Sequence, residues 1–152
     1  MKGKTIFLTG GAGFIGATLA GRLHEDNRIV VFDSLRRDSL SQRSWSGHPN
    51  ITLIEGDVRD AAAVARAMED AQPNLIVHLA AIAGIDTVIK SPTTTMAVNM
   101  VGTLNTLEAA RKLPSLERFV DFSTSEAFGT YAFRADEGQM TTIGAVGEAR
   151  WI

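Results

Sequence analysis

Thr5-Ile6-Phe7-Leu8-Thr9-Gly10-Gly11-Ala12-Gly13-Phe14-Ile15-Gly16 is the stretch that decides the fold. It begins as a short apolar run rich in β-branched and aromatic residues, the composition of a buried strand. From Phe14 to Leu23 the spacing turns helical, with Ile15, Leu19 and Leu23 on one face. Between the two stand Gly10, Gly13 and Gly16, spaced G-x-x-G-x-x-G. Glycine serves three needs there: a tight turn, close approach of backbone to a pyrophosphate, and tight packing of helix on strand. The helix would then aim the free N–H groups of Phe14, Ile15 and Gly16, and its positive dipole end, at the phosphates. A glycine triplet alone is weak evidence. Its place between a strand and a helix gives it weight.

The alternation continues outward from there. Residues 28–32, 51–54, 75–79 and 118–122 read as further strands. Residues 60–69 read as a helix with Asp60 as its N-cap. A long helix over 94–112 is introduced by Pro92 and closed by Pro114. Apolar strands separated by helices form a parallel sheet covered on both faces. The predicted fold is therefore α/β, a Rossmann-type, doubly wound and mostly parallel sheet. Such a sheet binds ligands at the carboxyl ends of its strands. Residues 34–50 are polar and rich in Ser and Arg, a loop over the cofactor edge or a short helix. Trp45 within them is a lid or packing residue. Beyond Gly129 the pattern decays and no strand is evident.

Composition narrows the class. The 152 residues make one ordinary domain. Lys plus Arg is 15 against 17 for Asp plus Glu, a formal net charge of -2. That balance argues against a nucleic-acid partner. There are 0 cysteines, which removes disulfides, thiolate metal sites and cysteine nucleophiles, and no metal site is predicted. No apolar run reaches the roughly 18 residues of a membrane span. Met1-Lys2-Gly3-Lys4 leads only into the short apolar run before the glycine motif, unlike a signal peptide. A cytoplasmic protein is expected.

Two carboxylates follow the glycine motif at useful positions. Asp33 closes the second strand, about 20 residues past the loop, where it can accept both ribose hydroxyls of an adenosine. A carboxylate there repels a 2′-phosphate, so NAD is favoured over NADP, although Arg36 and Arg37 close by could reverse the preference. Asp33 could instead cap the strand end. After the third strand, Asp57 is placed to hydrogen-bond an adenine amino group and Val58 to contact the ring. The plain alternative for Asp57 is a turn residue after Gly56.

With these elements in place, the chain resembles the extended short-chain dehydrogenase/reductase family. These are NAD-dependent epimerases, dehydratases and decarboxylases of nucleotide-activated sugars. The resemblance rests on Thr9 to Gly16, Asp33, Gly56-Asp57-Val58, His78-Leu79-Ala80-Ala81, Val98-Asn99, and Phe122-Ser123-Thr124-Ser125-Glu126-Ala127-Phe128-Gly129. It implies that Leu79, Ala80 and Ala81 lie along the cofactor. It implies too that Asn99 braces the site as part of the cofactor-binding set. His78 is preferred as a packed, hydrogen-bonded histidine.

The resemblance also implies chemistry. Thr124 matches the hydroxyl that bonds the sugar C4 oxygen, where it steadies the charge that develops as hydride leaves. Ser125 stands where family dehydratases carry an aspartic acid that protonates the departing hydroxyl. Serine is a poor general acid, so simple 4,6-dehydration is disfavoured. Thr124-Ser125-Glu126 is similar to the pattern of UDP-glucuronate decarboxylases, and some epimerases also tolerate the serine. Glu126 would assist proton transfer at C5 or position a sugar carboxylate. Ser125 and Glu126 also suit a helix N-cap and its first turn. The implied substrate is a nucleotide sugar, a UDP-uronate or a related sugar. An NDP-hexose 4,6-dehydratase or 4-epimerase and a non-catalytic NAD-binding module are the alternatives.

The family's base is a Tyr with a Lys four residues on. The sole tyrosine, Tyr131, sits too close to the fifth strand to match, and position 135 is Ala. The tail Glu148-Ala149-Arg150-Trp151-Ile152 is similar to the residues that lead into that Tyr. The chain is thus read as an NAD-binding domain over 1–129 followed by an active-site approach segment over 130–152. It would end just before the catalytic Tyr and the sugar-nucleotide-binding part. A fragment of a longer enzyme is the preferred reading. The resemblance further implies a homodimer through the helix 94–112.

Overall fold

The computed structural model of the chain describes residues 1–124. Five parallel strands run β1 Thr5–Thr9, β2 Arg28–Asp33, β3 Ile51–Glu55, β4 Leu75–His78 and β5 Arg118–Asp121. Their order in the sheet is β3-β2-β1-β4-β5. The chain therefore winds outward from β1 in one direction and, from β4, in the other. Between β1 and β4 lies the switch point where doubly wound sheets open a crevice. Residues 1–121 form one compact unit, and residues from 122 onward belong to a second. The expected boundary at 129 lies outside the described residues.

Strand alternation divides the core into two layers. Ile6, Leu8, Ile29, Val31 and Val77 pack on one side with Ala17 and Ala20 of α1 (Phe14–Leu23) and with Leu40. Phe7, Val30, Phe32 and Ile76 pack on the other with Val64 and Met68 of α2 (Ala61–Ala71). Ala109 and Ala110 of α5 (Gly102–Ala110) close the same layer. Phe7 and Phe32 stack there with ring centroids 6.1 Å apart. Both faces of β1 and β2 are thus buried, which is why their residues are apolar without alternation. β3 is an edge strand, and Thr52, Leu53 and Glu55 are exposed.

Local chemistry explains the helix starts. Asp60 caps α2 as expected, its Oδ1 accepting from the N–H groups of Ala62 and Ala63 at 3.0 Å each. The expected helix 94–112 starts earlier, with Pro92 at its first turn in α4 (Pro92–Met96). It then widens into a π-helical turn, Ala97–Val101, before α5. A short helix, α3 (Ile85–Lys90), precedes it and was not anticipated.

One expectation needs correction. The buried residues of α1 are Gly16, Ala17 and Ala20, while Ile15 is exposed. Small residues seat the helix where it lies closest to the loop and sheet, while Leu19 and Leu23 of the expected face are partly buried against the same core. Residues 34–50 form turns, the loop of the two expected alternatives. Trp45 is a packing residue, stacked on His24 with centroids 5.2 Å apart and filling the space beside Gly21.

Candidate functional site

The three glycines divide the expected tasks between them. Gly10 has φ +67°, a left-handed turn that glycine adopts without strain. Its N–H donates to the Phe32 carbonyl at 2.9 Å, and a Cβ on it would lie 2.6 Å from the Ala80 nitrogen. Gly16 lies so close to Gly11 that a Cβ would overlap the Gly11 backbone. Gly13 differs. A Cβ there would meet only the Gly10 carbonyl oxygen, at 3.3 Å. Its outer side is open to a ligand, and it is the N-cap of α1. No side chain caps that helix start, and Phe14 and Ile15 are exposed on it. The uncapped N–H groups and the positive end of the helix dipole are a seat for an anion.

Asp33 holds this loop in place. Its Oδ2 accepts the Ala12 N–H at 2.9 Å, and its Oδ1 accepts the Leu35 N–H at 2.8 Å. Ser39 donates its N–H to the Ala12 carbonyl at 2.8 Å, so Ala12 is tied on both sides. Leu35 stands at φ +57°, a left-handed conformation held by its bond to Asp33. Each carboxylate oxygen keeps acceptor capacity for a further donor. The brace was not foreseen, yet Asp33 two residues before Leu35 is the spacing of an Asx turn. Arg36 and Arg37 are exposed beside it.

The end of β3 is more engaged than expected. The Arg59 guanidinium grips Asp57 with both its Nε and a terminal nitrogen. Hydrogen bonding to Arg59 holds the Asp57 carboxyl below its ordinary value. Val58, expected against an adenine ring, is buried. Its side chain packs where Gly102 leaves room, and its carbonyl accepts Asn105 Nδ2 at 3.0 Å. Gly56 is needed because the Phe32 ring occupies the place of any side chain there.

The segment after β4 completes the edge. The Leu79 N–H donates to the Thr9 carbonyl at 3.0 Å, and Ala80 backs onto Gly10. Ala81 is exposed. Asn99, in the π turn, accepts the Ile82 N–H at 2.8 Å on Oδ1 and donates Nδ2 to the Ile82 carbonyl at 3.1 Å. Its amide therefore braces the loop, and its hold on a cofactor would pass through that loop rather than through direct contact. His78 is buried, with Nδ1 2.6 Å from Thr9 Oγ1 and Nε2 3.0 Å from Thr103 Oγ1. Burial pushes its pKa down, against the opposing pull of Asp121. Neither Thr9 nor Thr103 was singled out from sequence. For Thr9 the signal was its register opposite His78 at the carboxyl ends of paired parallel strands.

Thr124 is an exposed residue three positions past β5. Ser125, Glu126, Tyr131 and the tail 148–152 lie outside the described residues. Among the described residues no three His, Asp or Glu side chains gather as metal ligands, and no helix is long and apolar enough to cross a membrane.

Known proteins share this pattern. Residues 7–141 match the family described as GDP-mannose 4,6 dehydratase. The chain is 33% identical over 154 residues to dTDP-L-rhamnose 4-epimerase of Burkholderia thailandensis, covering 99% of this chain and 42% of that protein. It is 36% identical over 148 residues to a probable UDP-glucuronate 4-epimerase of Rhizobium meliloti, covering 86% of this chain and 42% of that protein. Among solved structures, the Bordetella bronchiseptica enzyme WbmH in complex with NAD+ superimposes with a TM-score of 0.71 at 32% identity. That match covers 83% of this chain and 40% of WbmH. The chain spans less than half the length of each of these relatives.

Proposed function

The chain belongs to the GDP-mannose 4,6 dehydratase family within the extended short-chain dehydrogenases/reductases, and on that premise we propose that it forms the NAD-binding part of an enzyme that remodels a nucleotide-activated sugar. One observation carries the reading. A loop with Gly10 pinned, Gly13 open and Gly16 packed delivers an uncapped helix start to the switch point, with Asp33 bonded to the same loop. That cradle fits a dinucleotide. A Cβ at Gly13 would intrude where the pyrophosphate comes closest, and the spare acceptor capacity of Asp33 suits two ribose hydroxyls. WbmH, with NAD+ bound, supports the choice of cofactor.

Each residue then has a part. The N–H groups of Phe14, Ile15 and Gly16 hold the pyrophosphate. Asp33 holds the adenosine ribose and disfavours a 2′-phosphate. Asp57 faces the adenine amino group while it keeps its Arg59 partner. Leu79, Ala80 and Ala81 line the cofactor, and Asn99 fixes their loop at Ile82. The chemistry a bound NAD would supply is acceptance of hydride from the sugar C4. Thr124 hydrogen-bonds the C4 oxygen and steadies the charge that builds there. Glu126 assists proton transfer at C5 or positions a C6 carboxylate, since a 4-keto group both acidifies C5 and makes that carboxylate leave readily. Ser125 in place of an acid favours a UDP-uronate substrate, and the resemblance to a probable UDP-glucuronate 4-epimerase supports it. The exposed Met96, Met100, Leu104 and Leu107 fit a homodimer face that runs from α4 through the π turn to α5. A cytoplasmic location belongs to the same reading.

Calorimetry tests the core of it. The full chain should bind NAD more tightly than NADP, and Asp33→Ala should weaken NAD binding. Failure of the wild type to bind NAD sinks the proposal. Adding UDP-, dTDP-, GDP- and CDP-sugars to the NAD complex, with reduced cofactor followed by its near-ultraviolet absorbance, then identifies the substrate. A flat trace with every sugar, in a chain that carries the family's Tyr and the Lys four residues on, would favour a binding module without catalysis.

A further inference from the structure

We infer that His78 is a positioning residue of the cofactor seat: as a neutral imidazole protonated on Nε2, it joins β1, the loop after β4 and the π turn into one hydrogen-bonded unit. The inference rests on the proposed NAD-binding function for its consequence, not for its geometry.

Hydrogen positions follow from the direction of each bond. Thr103 Oγ1 donates to the Asn99 carbonyl at 2.7 Å. A hydroxyl has one hydrogen, so toward His78 Nε2, 3.0 Å away, Thr103 accepts. Nε2 therefore carries a proton. In a neutral ring Nδ1 is then the acceptor, and Thr9 Oγ1 donates to it at 2.6 Å. The Thr9 oxygen in turn accepts from the Leu79 N–H at 3.3 Å. The result is a chain of one polarity, from Leu79 N–H through Thr9, His78 and Thr103 to the Asn99 carbonyl. The Asn99 amide then clamps Ile82 at both backbone atoms. Thr9 is fully buried directly before Gly10, so the unit reaches from the turn of the glycine loop to the residue that follows Ala81. The groups packed on the ring are the Thr9 and Thr103 hydroxyls and the Phe119 ring, and the charge that faces it is Asp121 on β5. A charged imidazole would turn an N–H on Thr9 and break the chain at that bond, leaving the Nε2–Thr103–Asn99 side unchanged.

Thr9→Val and Thr103→Val remove each hydroxyl at constant shape. NAD affinity of the folded full chain, its melting temperature and hydrogen exchange at the Ile82 amide are measured for both variants and the double variant. Long-range nitrogen–proton NMR reads the tautomer of wild-type His78. We expect the Nε2–H form, NAD binding about ten-fold weaker in each single variant, and a double variant much less than a hundred-fold weaker, because both losses break one chain. Exchange at Ile82 should speed up in Thr9→Val, although Thr9 touches neither Ile82 nor Asn99. An Nδ1–H or charged ring overturns the inference. So do losses that multiply, or melting temperatures that fall while affinity holds. If the wild type binds no NAD, the proposed function fails, and Ile82 decides alone: faster exchange in Thr9→Val supports the coupling and an unchanged rate overturns it.

Discussion

Gly13→Ala separates the fold from the ligand more cleanly than any other change in the loop. Gly13 has φ -68° and ψ 174°, extended backbone that alanine adopts freely. Its new Cβ would meet only the Gly10 carbonyl oxygen at 3.3 Å, a crowding of a few tenths of an ångström. Alanine is a poorer N-cap than glycine, by roughly 0.5–1 kcal/mol. Against that, removing glycine from the unfolded chain stabilises by about 0.4–1 kcal/mol. The two nearly cancel, so the melting temperature should move by less than about 4 °C for a chain of this size. The ligand meets a different surface. A methyl group on the open side holds the pyrophosphate off the helix start, lengthening one or two charge-assisted N–H bonds. Bonds of that kind are worth about 1.5–3 kcal/mol each, so NAD affinity should fall about ten- to hundred-fold. Calorimetry beside a thermal melt reads both. Unchanged NAD affinity would show that the pyrophosphate does not lie over Gly13. A collapsed fold would show that the loop has no slack at the Gly10 carbonyl.

Other positions respond differently. Gly10→Ala must take φ +67°, at a cost of about 1–2 kcal/mol, and press on the Ala80 backbone as well, so its melting temperature should drop by roughly 10 °C or more before any ligand is added. Asp33→Asn keeps one acceptor for the loop but loses the charge, so NAD binding should weaken while the margin over NADP narrows, as competitive calorimetry would show. His78 gives a pH signature. Its pKa in the fold lies below the ordinary 6.5, so the unfolded chain takes up a proton first as the pH falls. Stability from keeping it neutral is complete above about 6.5 and drains away below that, down to the lowered folded value. His78→Gln should lose that dependence, and melts from pH 8 to pH 5 that decline equally in both proteins would refute it. Arg59→Ala removes a half-exposed ion pair worth at most about 1 kcal/mol, present above the ordinary carboxylate value of 3.8 and lost as the pH falls through the lowered value of Asp57.

How far sequence carries depends on what a feature needs. The glycine loop needs only backbone freedom at fixed spacing, and Asp33 only a strand end, so both are legible from one segment. The strands of β1 and β2 are legible because burial on two faces keeps their central residues, Ile6 to Leu8 and Ile29 to Phe32, apolar without alternation. Ile15 faces solvent rather than the core, and the sequence hides this for a plain reason. An apolar side chain looks the same in sequence whether it faces core, ligand or solvent, and the residues that in fact seat α1 are glycine and alanine, which carry little hydrophobic signal. The π turn escaped notice because one extra residue in a helical turn changes no composition. Yet that turn puts the Asn99 amide on Ile82 and Thr103 on His78, contacts that span 17 and 25 residues.

These placements divide the labour of the chain. The cofactor seat is tied to the sheet by at least three separate bonds: Gly10 to Phe32, Ala12 to Asp33, and Leu79 to Thr9. Each tie uses backbone on at least one side, so the seat is set by where strands end and not by which sugar is bound. Under the proposed function, a loss there should weaken every reaction alike, through cofactor affinity. The segment from Thr124 to Glu126 stands apart from this network in sequence, and the proposed function gives its residues the hydroxyl, the missing acid and the carboxylate. Changes there should leave NAD affinity in place and alter which product forms. A variant that changed both together, such as Ser125→Asp shifting product and NAD affinity in equal measure, would contradict that separation and tie reaction choice back to the seat.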